Sequence, residues 1–463
     1  MKNRTDEKNN TERRKKKTGM KIRRLSHVQI IITGYILMIL LGTGLLMLPF
    51  MSRGEGSVGF EKAFFTAVST SCVTGLTLCD TWTTWTYAGQ AVLLVLIQTG
   101  GLGFMTIATF FFALLRKRMG LYSRETMVES INTTHVGGIM RLSKVITLGT
   151  LAFEACGALL LSVRFIPEYG VLRGIWFSVF HSISAFCNAG FDLMGINEEY
   201  SSFTAYSGDF LVCLTLMALI QMGALGFIVW QDVAFHGLHI RKYSLHTKVV
   251  LVMTMGLFAV GTVLFFLFER NATGAGLGTG ERMLTAAFAA VTPRTAGFNT
   301  VDIAKMSESS RLLTVIYMLT GGSPGSTAGG IKTTTVFVIF AYMINLVRGR
   351  KRTTVFHRTI PDSILKKALV VAMYNISLAL IATLIICGIW QLPVTDILFE
   401  CFSAIDTVGM TTGITRSLTG GSKYIIAFLM FLGRVGSVSF AVALIGKKGN
   451  AIVEYPAEDV TVG

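Results

Sequence analysis

Ser69-Thr70-Ser71-Cys72-Val73-Thr74-Gly75-Leu76 is a short, mostly polar run that ends in a glycine and a large apolar residue, and three similar runs follow it along the chain. They are Ser184-Ala185-Phe186-Cys187-Asn188-Ala189-Gly190-Phe191, Val291-Thr292-Pro293-Arg294-Thr295-Ala296-Gly297-Phe298 and Ser403-Ala404-Ile405-Asp406-Thr407-Val408-Gly409-Met410. Registered on Gly75, Gly190, Gly297 and Gly409, the copies stand 115, 107 and 112 residues apart. Eight residues before the glycine the side chain is small in all four (Ala67, Ser182, Ala289, Cys401); six before, it is serine in three, with Val291 the exception. Small residues let a short helix pack closely between neighbours. A single such run is weak evidence in a chain with 48 glycines, but four in one register are an internal repeat.

The surroundings of the runs say what kind of repeat this is. Of 463 residues, 52% are hydrophobic and 15% charged, where a soluble domain carries about 25% charged residues. Mean hydropathy is +0.59. Apolar stretches of membrane-spanning length fall at 27–50, 89–115, 144–165, 208–232, 246–268, 311–346, 366–390 and 424–446. Each repeated run lies between an odd and an even stretch, in a loop too apolar for water and too short for another span. Such a loop reads as a re-entrant hairpin, because non-helical backbone at membrane depth is tolerated only where protein or a water-filled cavity satisfies it. The expected fold is an all-α polytopic membrane protein: eight transmembrane helices plus four re-entrant pore helices, as four helix–pore-loop–helix units around one central pore. The units are 27–115, 144–232, 246–346 (second helix broken) and 366–446. Cytoplasmic loops 116–143, 233–245 and 347–365 join them, with a basic tail at 1–26 and a C-terminal segment at 447–463.

The charge is asymmetric. The formal net charge is +16, and the first 24 residues hold 11 Lys/Arg against Asp6, Glu7 and Glu12, which reads as a disordered tail. A basic segment before an apolar run also resembles a secretory signal, but 27–50 is as long as a bilayer span and no A-x-A site follows, so it reads as a retained helix. The side that carries both termini collects 29 basic and 10 acidic residues, the opposite side 11 and 15. The positive-inside rule then puts the termini in the cytoplasm of a cell membrane. Anionic lipid, at about 1 kcal/mol per basic residue near the surface, is a nearer partner for this charge than nucleic acid. Seven cysteines with no C-x-x-C indicate neither a metal site nor a disulfide framework. Asn271-Ala272-Thr273 is a sequon on the outer side, meaningful only in a glycosylating cell.

The chemistry suited to four glycine turns around an axis is replacement of a cation's water shell by backbone carbonyls, for which glycine supplies both φ freedom and the absence of a side chain. A second repeat sits in the even-numbered spans. Gln98-Thr99-Gly100-Gly101-Leu102-Gly103-Phe104 matches Gln221-Met222-Gly223-Ala224-Leu225-Gly226-Phe227, with Thr320-Gly321-Gly322-Ser323-Pro324-Gly325 and Leu432-Gly433-Arg434-Val435-Gly436-Ser437 corresponding to them. In spans two and four the pattern reads as close packing through small residues. Span six is different. Gly321-Gly322-Ser323-Pro324-Gly325-Ser326-Thr327-Ala328-Gly329-Gly330-Ile331-Lys332-Thr333 is incompatible with a continuous helix. Lys332, Arg434 and Glu154 are charges at membrane depth, where ionisable residues mark function or a satisfied interhelical contact.

The four glycine turns, the Gly321–Thr333 segment and Arg434 together resemble the Trk/Ktr/HKT superfamily of potassium transporters, over about residues 27–447. With eight spans the chain is most similar to the Ktr membrane (ion-translocating) subunit. The resemblance implies a selectivity filter at Val73, Thr74, Gly75, Leu76; Asn188, Ala189, Gly190, Phe191; Thr295, Ala296, Gly297, Phe298; and Thr407, Val408, Gly409, Met410. K⁺ would be the transported ion, held by filter carbonyls, since glycine at all four positions accompanies potassium in this superfamily and serine in the first accompanies sodium. It also implies an intramembrane gate at 321–335 faced by Arg434, a homodimer with one pore per subunit, and a cytoplasmic ring of RCK-type regulatory subunits. Any nucleotide belongs on that partner, because this chain has no G-x-x-x-x-G-K-[ST] and no cofactor site. Asp406 departs from the small residue expected there, which implies a raised local cation concentration or an altered selectivity.

Two other readings compete. Gly321-Gly322-Ser323-Pro324-Gly325 fits G-x-S-x-G, with His181 or His357 as base, but a nucleophile elbow needs a strand–turn–helix and this match lies in a transmembrane run. His181 is expected to be a packed or hydrogen-bonded pore-helix residue. A Na⁺- or H⁺-coupled symporter on the same architecture would use Glu154 as its carboxylate.

Overall fold

A computed structural model describes residues 26–54, 56–103 and 139–436, with the isolated positions 106, 126 and 458. The basic tail before Ser26, most of the loop 116–143, the ends of the second and eighth apolar stretches beyond Gly103 and Gly436, and most of 447–463 lie outside the described residues.

The described chain is mostly helical and repeats one motif four times: a long helix, a short helix, then a helix that stops or breaks within the apolar stretch. The long helices are α1 (His27–Leu46), α4 (Ile139–Tyr169), α8 (Leu245–Phe268) and α12 (Asp362–Ile389). Among the described residues, these four are the helices long and apolar enough to cross a membrane by themselves. Leu40, Leu41, Leu148, Leu159, Val163, Val252, Met255, Val263, Met373 and Leu384 are exposed on them, the outer surface expected of a multi-pass membrane protein. Local chemistry starts these helices: Ser26 and Gln29 form a reciprocal capping box on α1, and Ser244 accepts the Thr247 N–H on α8.

The short helices are α2 (Phe60–Cys72), α5 (Val171–Phe186), α9 (Thr279–Val291) and α13 (Val394–Ile405). Gly59, Gly170, Gly278 and Pro393 stand at their N-caps, so the chain reverses at residues that tolerate a tight turn. All four are mainly buried and lead into the four glycine runs.

In the third position of each motif stand α3 (Tyr87–Leu102), α6 (Phe210–Leu225), α10 (Glu308–Met318) and α14 (Ser422–Val435). Here the structure corrects the sequence reading, which placed an interruption only in span six. α3 stops at Gly103 (φ +79), α6 at Gly226 (φ +92) and α14 at Gly436 (φ +91), all in a region closed to most side chains. After Gly226 the chain turns through 93° into α7 (Phe227–His236), and the third copy resumes as α11 (Thr333–Val347). The reading of spans two and four as close packing also has a structural basis. A Cβ on Gly100, Gly223 or Gly433 would strike the carbonyl oxygen of Ser71, Phe186 or Ile405, in each case the residue four before the repeat glycine of the same unit. The interrupted helices therefore lie directly on the ends of the short helices. A second departure is a small hairpin, β1 (Thr354–Val355) with β2 (Arg358–Thr359), in a loop expected to lack strands. Phe356 and His357 turn it with φ of +46° and +59°, the two positive values of a tight two-residue hairpin turn.

Gly433→Ala tests this packing. It should cost about 1–3 kcal/mol, the usual price of overpacking a close contact, and so lower the thermal unfolding midpoint in detergent. Gly256→Ala, on α8 with nothing within 4 Å of the added carbon, is the control and should leave the midpoint equal or higher, since alanine is the better helix residue.

Candidate functional site: a ring of four glycine turns

The four glycine runs leave their short helices in the same way. The residue two before each glycine is left-handed (Val73 φ +57, Asn188 +59, Thr295 +71, Thr407 +50), and each glycine again has positive φ (Gly75 +99, Gly190 +69, Gly297 +82, Gly409 +90). In three copies the residue between them donates its N–H to the carbonyl five residues earlier at 2.8 Å: Thr74 to Ser69, Ala189 to Ser184, Val408 to Ser403. The serine that recurs six before the glycine fastens the turn. Ser69 and Ser403 accept the N–H of Gly75 and Gly409 at 3.1 Å, and Ser184 donates to the Phe191 carbonyl at 2.7 Å. The exception at Val291 is repaired one residue later. α9 ends at Val291, and Thr292 donates its hydroxyl to the Phe298 carbonyl at 2.6 Å.

The turns close on one another in chain order. A Cβ placed on Gly75 would lie 2.7 Å from the Ala189 carbonyl oxygen, one on Gly190 2.8 Å from that of Ala296, and one on Gly297 2.6 Å from that of Val408. One on Gly409 would strike the carbonyl oxygen of Thr74, completing the circuit. Built on Gly75, Gly190 and Gly297, the same carbons would lie 3.1–3.3 Å from the α-carbons of other ring glycines. Thr74, Ala189, Ala296 and Val408 are all buried. Four glycines thus meet with four carbonyl groups interleaved, and no β-carbon fits.

Outside the ring is a cavity of about 860 Å³ whose lining includes all four glycines. Asp80, Asp192, Glu198, Glu199 and Asp302 also line it, against Lys305 and Arg416. The negative balance favours cations at the mouth. The carboxylates are positioned by backbone: Asp80 caps the turn at Trp82 and Thr83 and accepts the Tyr200 N–H, and Asp192 accepts that of Met194. Arg416 lies 3.8 Å over the Tyr200 ring.

On the other side lies the segment between α10 and α11. Its neck is closed by Gly321 N–H to Ile331 O (2.9 Å) and Thr333 N–H to Gly322 O (3.0 Å). One limb docks on the break of the second unit: Ser323 N–H donates to Ala224 O at 2.9 Å, Phe227 N–H to Gly325 O at 2.7 Å, and the Thr327 hydroxyl to Phe186 O at 3.1 Å. The returning limb docks on the fourth unit, where Gly330 packs on Asp406 and Gly329 on Thr407. Since units two and four are opposite in the ring, the loop crosses beneath it. Arg434 donates to the carbonyls of Thr327, Gly100 and Gly101 and to the Tyr35 hydroxyl (3.3 Å), tying the loop to the first unit. Lys332 Nζ donates to Ala328 O at 2.7 Å and Gly329 O at 3.2 Å, within its own loop.

The remaining singled-out residues sort themselves by partner. Glu154 accepts from Gln98 Nε2 at 3.2 Å, and its main-chain carbonyl accepts from Ser182, so it joins three helices. His181 takes the Leu193 N–H on Nε2 at 2.9 Å and sets Nδ1 against Phe177 O at 2.8 Å, among Phe165, Phe177, Phe180 and Phe203. Ser323 shares a 3.1 Å hydrogen bond with Thr333, with both hydroxyls buried, and among the described residues no histidine bonds the serine of the G-x-S-x-G match. Asp406, expected to raise the local cation concentration or alter selectivity, accepts the Ile331 N–H of the loop at 3.2 Å. Sequence reading missed Arg294, a buried guanidinium that donates to Gln221 at 3.3 Å and Thr254 at 3.5 Å, and Glu400, a buried carboxylate against Thr415. Arg294 was hidden inside the repeat itself, but a charge next to a glycine turn between two spans was the available signal.

The family model for TrkH, a cation transport protein, matches residues 8–451. The chain is 40% identical to the potassium/sodium uptake protein NtpJ of Enterococcus hirae, over 95% of this chain and 98% of that protein. It is 38% identical to the Ktr system potassium uptake protein B of Bacillus subtilis, over 95% and 97%. The crystal structure of the potassium transporter TrkH from Vibrio parahaemolyticus superposes with a TM-score of 0.72 at 16% identity, covering 92% of this chain and 86% of that one, and so shares its fold.

Proposed function

The chain belongs to the TrkH family of cation transport proteins, and from that premise we propose that it takes up potassium through the ring of four glycine turns. It is an ion transporter of the Trk/Ktr type and not an enzyme. The observation that carries the reading is the closed circuit of Gly75, Gly190, Gly297 and Gly409 with the carbonyls of Thr74, Ala189, Ala296 and Val408 between them. A dehydrated cation needs several oxygen ligands at once, and backbone carbonyls held by helix ends supply them without net charge. In this reading Val73–Leu76, Asn188–Phe191, Thr295–Phe298 and Thr407–Met410 form the filter, and the acidic cavity gathers cations at its mouth. Each long helix, short helix and interrupted helix is one pore unit, giving eight transmembrane helices and four re-entrant ones, with both termini cytoplasmic in the cell membrane.

The loop at 321–335 is the gate of this pore. It crosses from the second unit to the fourth below the ring, and Arg434 adds a positive charge beside the path. A unit charge 4 Å from a cation opposes it by ~4 kcal/mol at an effective dielectric of 20. Opening is assigned to a cytoplasmic RCK-type ring that binds nucleotide and acts on a homodimer of this chain; anionic lipid accompanies its basic cytoplasmic side.

The second reading, mixed K⁺/Na⁺ or ion-coupled transport, draws on the name of the Enterococcus hirae relative and on Glu154. Against coupling stands the engagement of Glu154 with Gln98 between helices. Potassium flux into liposomes, with and without a sodium or proton gradient, separates the two. Flux that follows the K⁺ gradient alone supports the first reading, and flux driven by a second ion overturns it. Glu154→Gln should leave the ion dependence of transport unchanged; loss of a proton- or sodium-driven component would make Glu154 a coupling residue.

Gly75→Ser should weaken discrimination of K⁺ over Na⁺, because its Cβ would press on the Ala189 carbonyl. Flux ratios in the two salts measure it, and an unchanged ratio at normal expression would remove Gly75 from the filter. Deleting residues Ser323 to Gly329, or Arg434→Ala, should raise basal K⁺ flux. Removing one barrier in two ways should be non-additive. Lower flux in both variants at matched membrane insertion would make the loop structural.

A further inference from the structure

The residue three before the ring glycine is Cys72, Cys187, Arg294 or Asp406, the one position of the four runs at which charged side chains occur. In the last three units its contacts follow a rule. Cys187 of the second unit reaches Gln98 on α3 of the first at 3.5 Å, and Arg294 of the third reaches Gln221 on α6 of the second at 3.3 Å. Asp406 of the fourth unit reaches the interrupted element of the third, where it meets the Ile331 N–H at 3.2 Å. Each therefore touches the interrupted element of the unit before it. In the first two cases the partner is a side chain, because main-chain N–H groups within a helix are already bonded to the preceding turn. Gln98 and Gln221 lie within the helical parts of α3 and α6, whereas Ile331 lies in non-helical loop whose main chain offers an N–H, and there the residue is a carboxylate.

The fit is close. Asp406 is wholly buried. Gly330 (φ +62) lies so near that a Cβ there would stand 2.9 Å from the Asp406 carbonyl oxygen and 2.9 Å from its Oδ1. The next loop residue after Ile331 is Lys332, whose ammonium group is folded back on Ala328 O and Gly329 O. Arg434 holds the other end of this turn through Thr327 O. The loop crossing beneath the ring is thus fastened at two points of opposite polarity: a carbonyl held by a guanidinium, and an N–H held by a carboxylate.

We propose that Asp406 is a positioning residue for the gate, mooring the returning limb of the 321–335 loop across the pore by accepting the Ile331 N–H and packing against Gly330. This rests on the reading of that loop as a gate. It assigns the one acidic residue among the filter runs to closure of the path below the filter, with no part in choosing the ion.

The test uses the full chain reconstituted in liposomes, with K⁺ and Na⁺ fluxes read for the parent, Asp406→Ala, Asp406→Asn and the Ser323–Gly329 deletion. Asp406→Ala should raise basal K⁺ flux on the order of tenfold, the shift that one charge-assisted hydrogen bond commands, with the K⁺/Na⁺ ratio held. Asp406→Asn should rescue much of the closure, since its amide oxygen still accepts from Ile331. Misfolding lowers flux, so a rise cannot come from a merely structural loss. If Asp406→Ala does not reach the membrane, Gly330→Ala breaks the same contact from the loop side and should raise flux likewise. A changed K⁺/Na⁺ ratio without a rise in flux overturns the proposal and makes Asp406 a filter residue. Unchanged or reduced flux in Asp406→Ala, where the deletion raises it, overturns the mooring and leaves the gate standing. No rise in the deletion removes the gate and the mooring together.

Discussion

Everything in this molecule is arranged around a place where no β-carbon fits. Gly75, Gly190, Gly297 and Gly409 approach one another so closely that a side chain on any of them would meet a carbonyl of the next unit. Bringing four main chains to one axis inside a membrane leaves their polar groups without water, so each must be satisfied by protein. The short helices do this. Their last turns accept the N–H groups that follow, and Ser69, Ser184, Thr292 and Ser403 add a hydroxyl tie to each turn. The interrupted helices then have to lie against the ends of the short ones, which is why Gly100, Gly223 and Gly433 stand where they do. One steric constraint at the centre thereby sets the residue type at three successive shells.

That propagation explains what could be read from the sequence. The ring was legible because its geometry admits only glycine and repeats the demand four times in one register. The loop of the third unit was legible because five glycines, a proline and a lysine between Gly321 and Thr335 contradict a continuous helix. The interruptions at Gly103, Gly226 and Gly436 were not, since a glycine that permits close packing and one that takes positive φ are written with the same letter. The hydroxyl at Thr292 escaped because α9 ends sooner than its counterparts and moves the tie by one position. Arg294 and Asp406 share one place in the repeat, but what they do depends on the neighbouring unit, which no local pattern contains.

The buried and half-buried charges share a feature of their own. Arg434 and Lys332 are hydrogen-bonded to carbonyl oxygens, Asp406 to a main-chain N–H, Arg294 to two neutral side chains, and Glu154 to an amide. A dipole satisfies a charge at lower cost to rearrangement than an opposite charge does, because breaking a desolvated ion pair strands the second ion. The carbonyls of Thr327, Ala328 and Gly329 are ligands of the same kind as those of the ring, and here the chain's own cations occupy them. With Arg434 and Lys332 on these oxygens, the loop beneath the ring carries two positive groups on its carbonyls.

The third unit is where the fourfold pattern is least exact, and the reason is steric. The space beneath the ring lies on the axis common to all four units, so whatever fills it can come from only one of them. A symmetric set of four such loops would collide there. The unit that supplies the loop inserts the residues between α10 and α11 at its break, and its returning limb needs a partner on the opposite side of its own neck. The fourth unit provides that partner at Asp406, and the second provides the seat at Gly223–Phe227. The departures at 321–335 and at Asp406 are consequently one change viewed from two places: four units around one axis leave room beneath it for a single loop, and Asp406 differs where that loop lands.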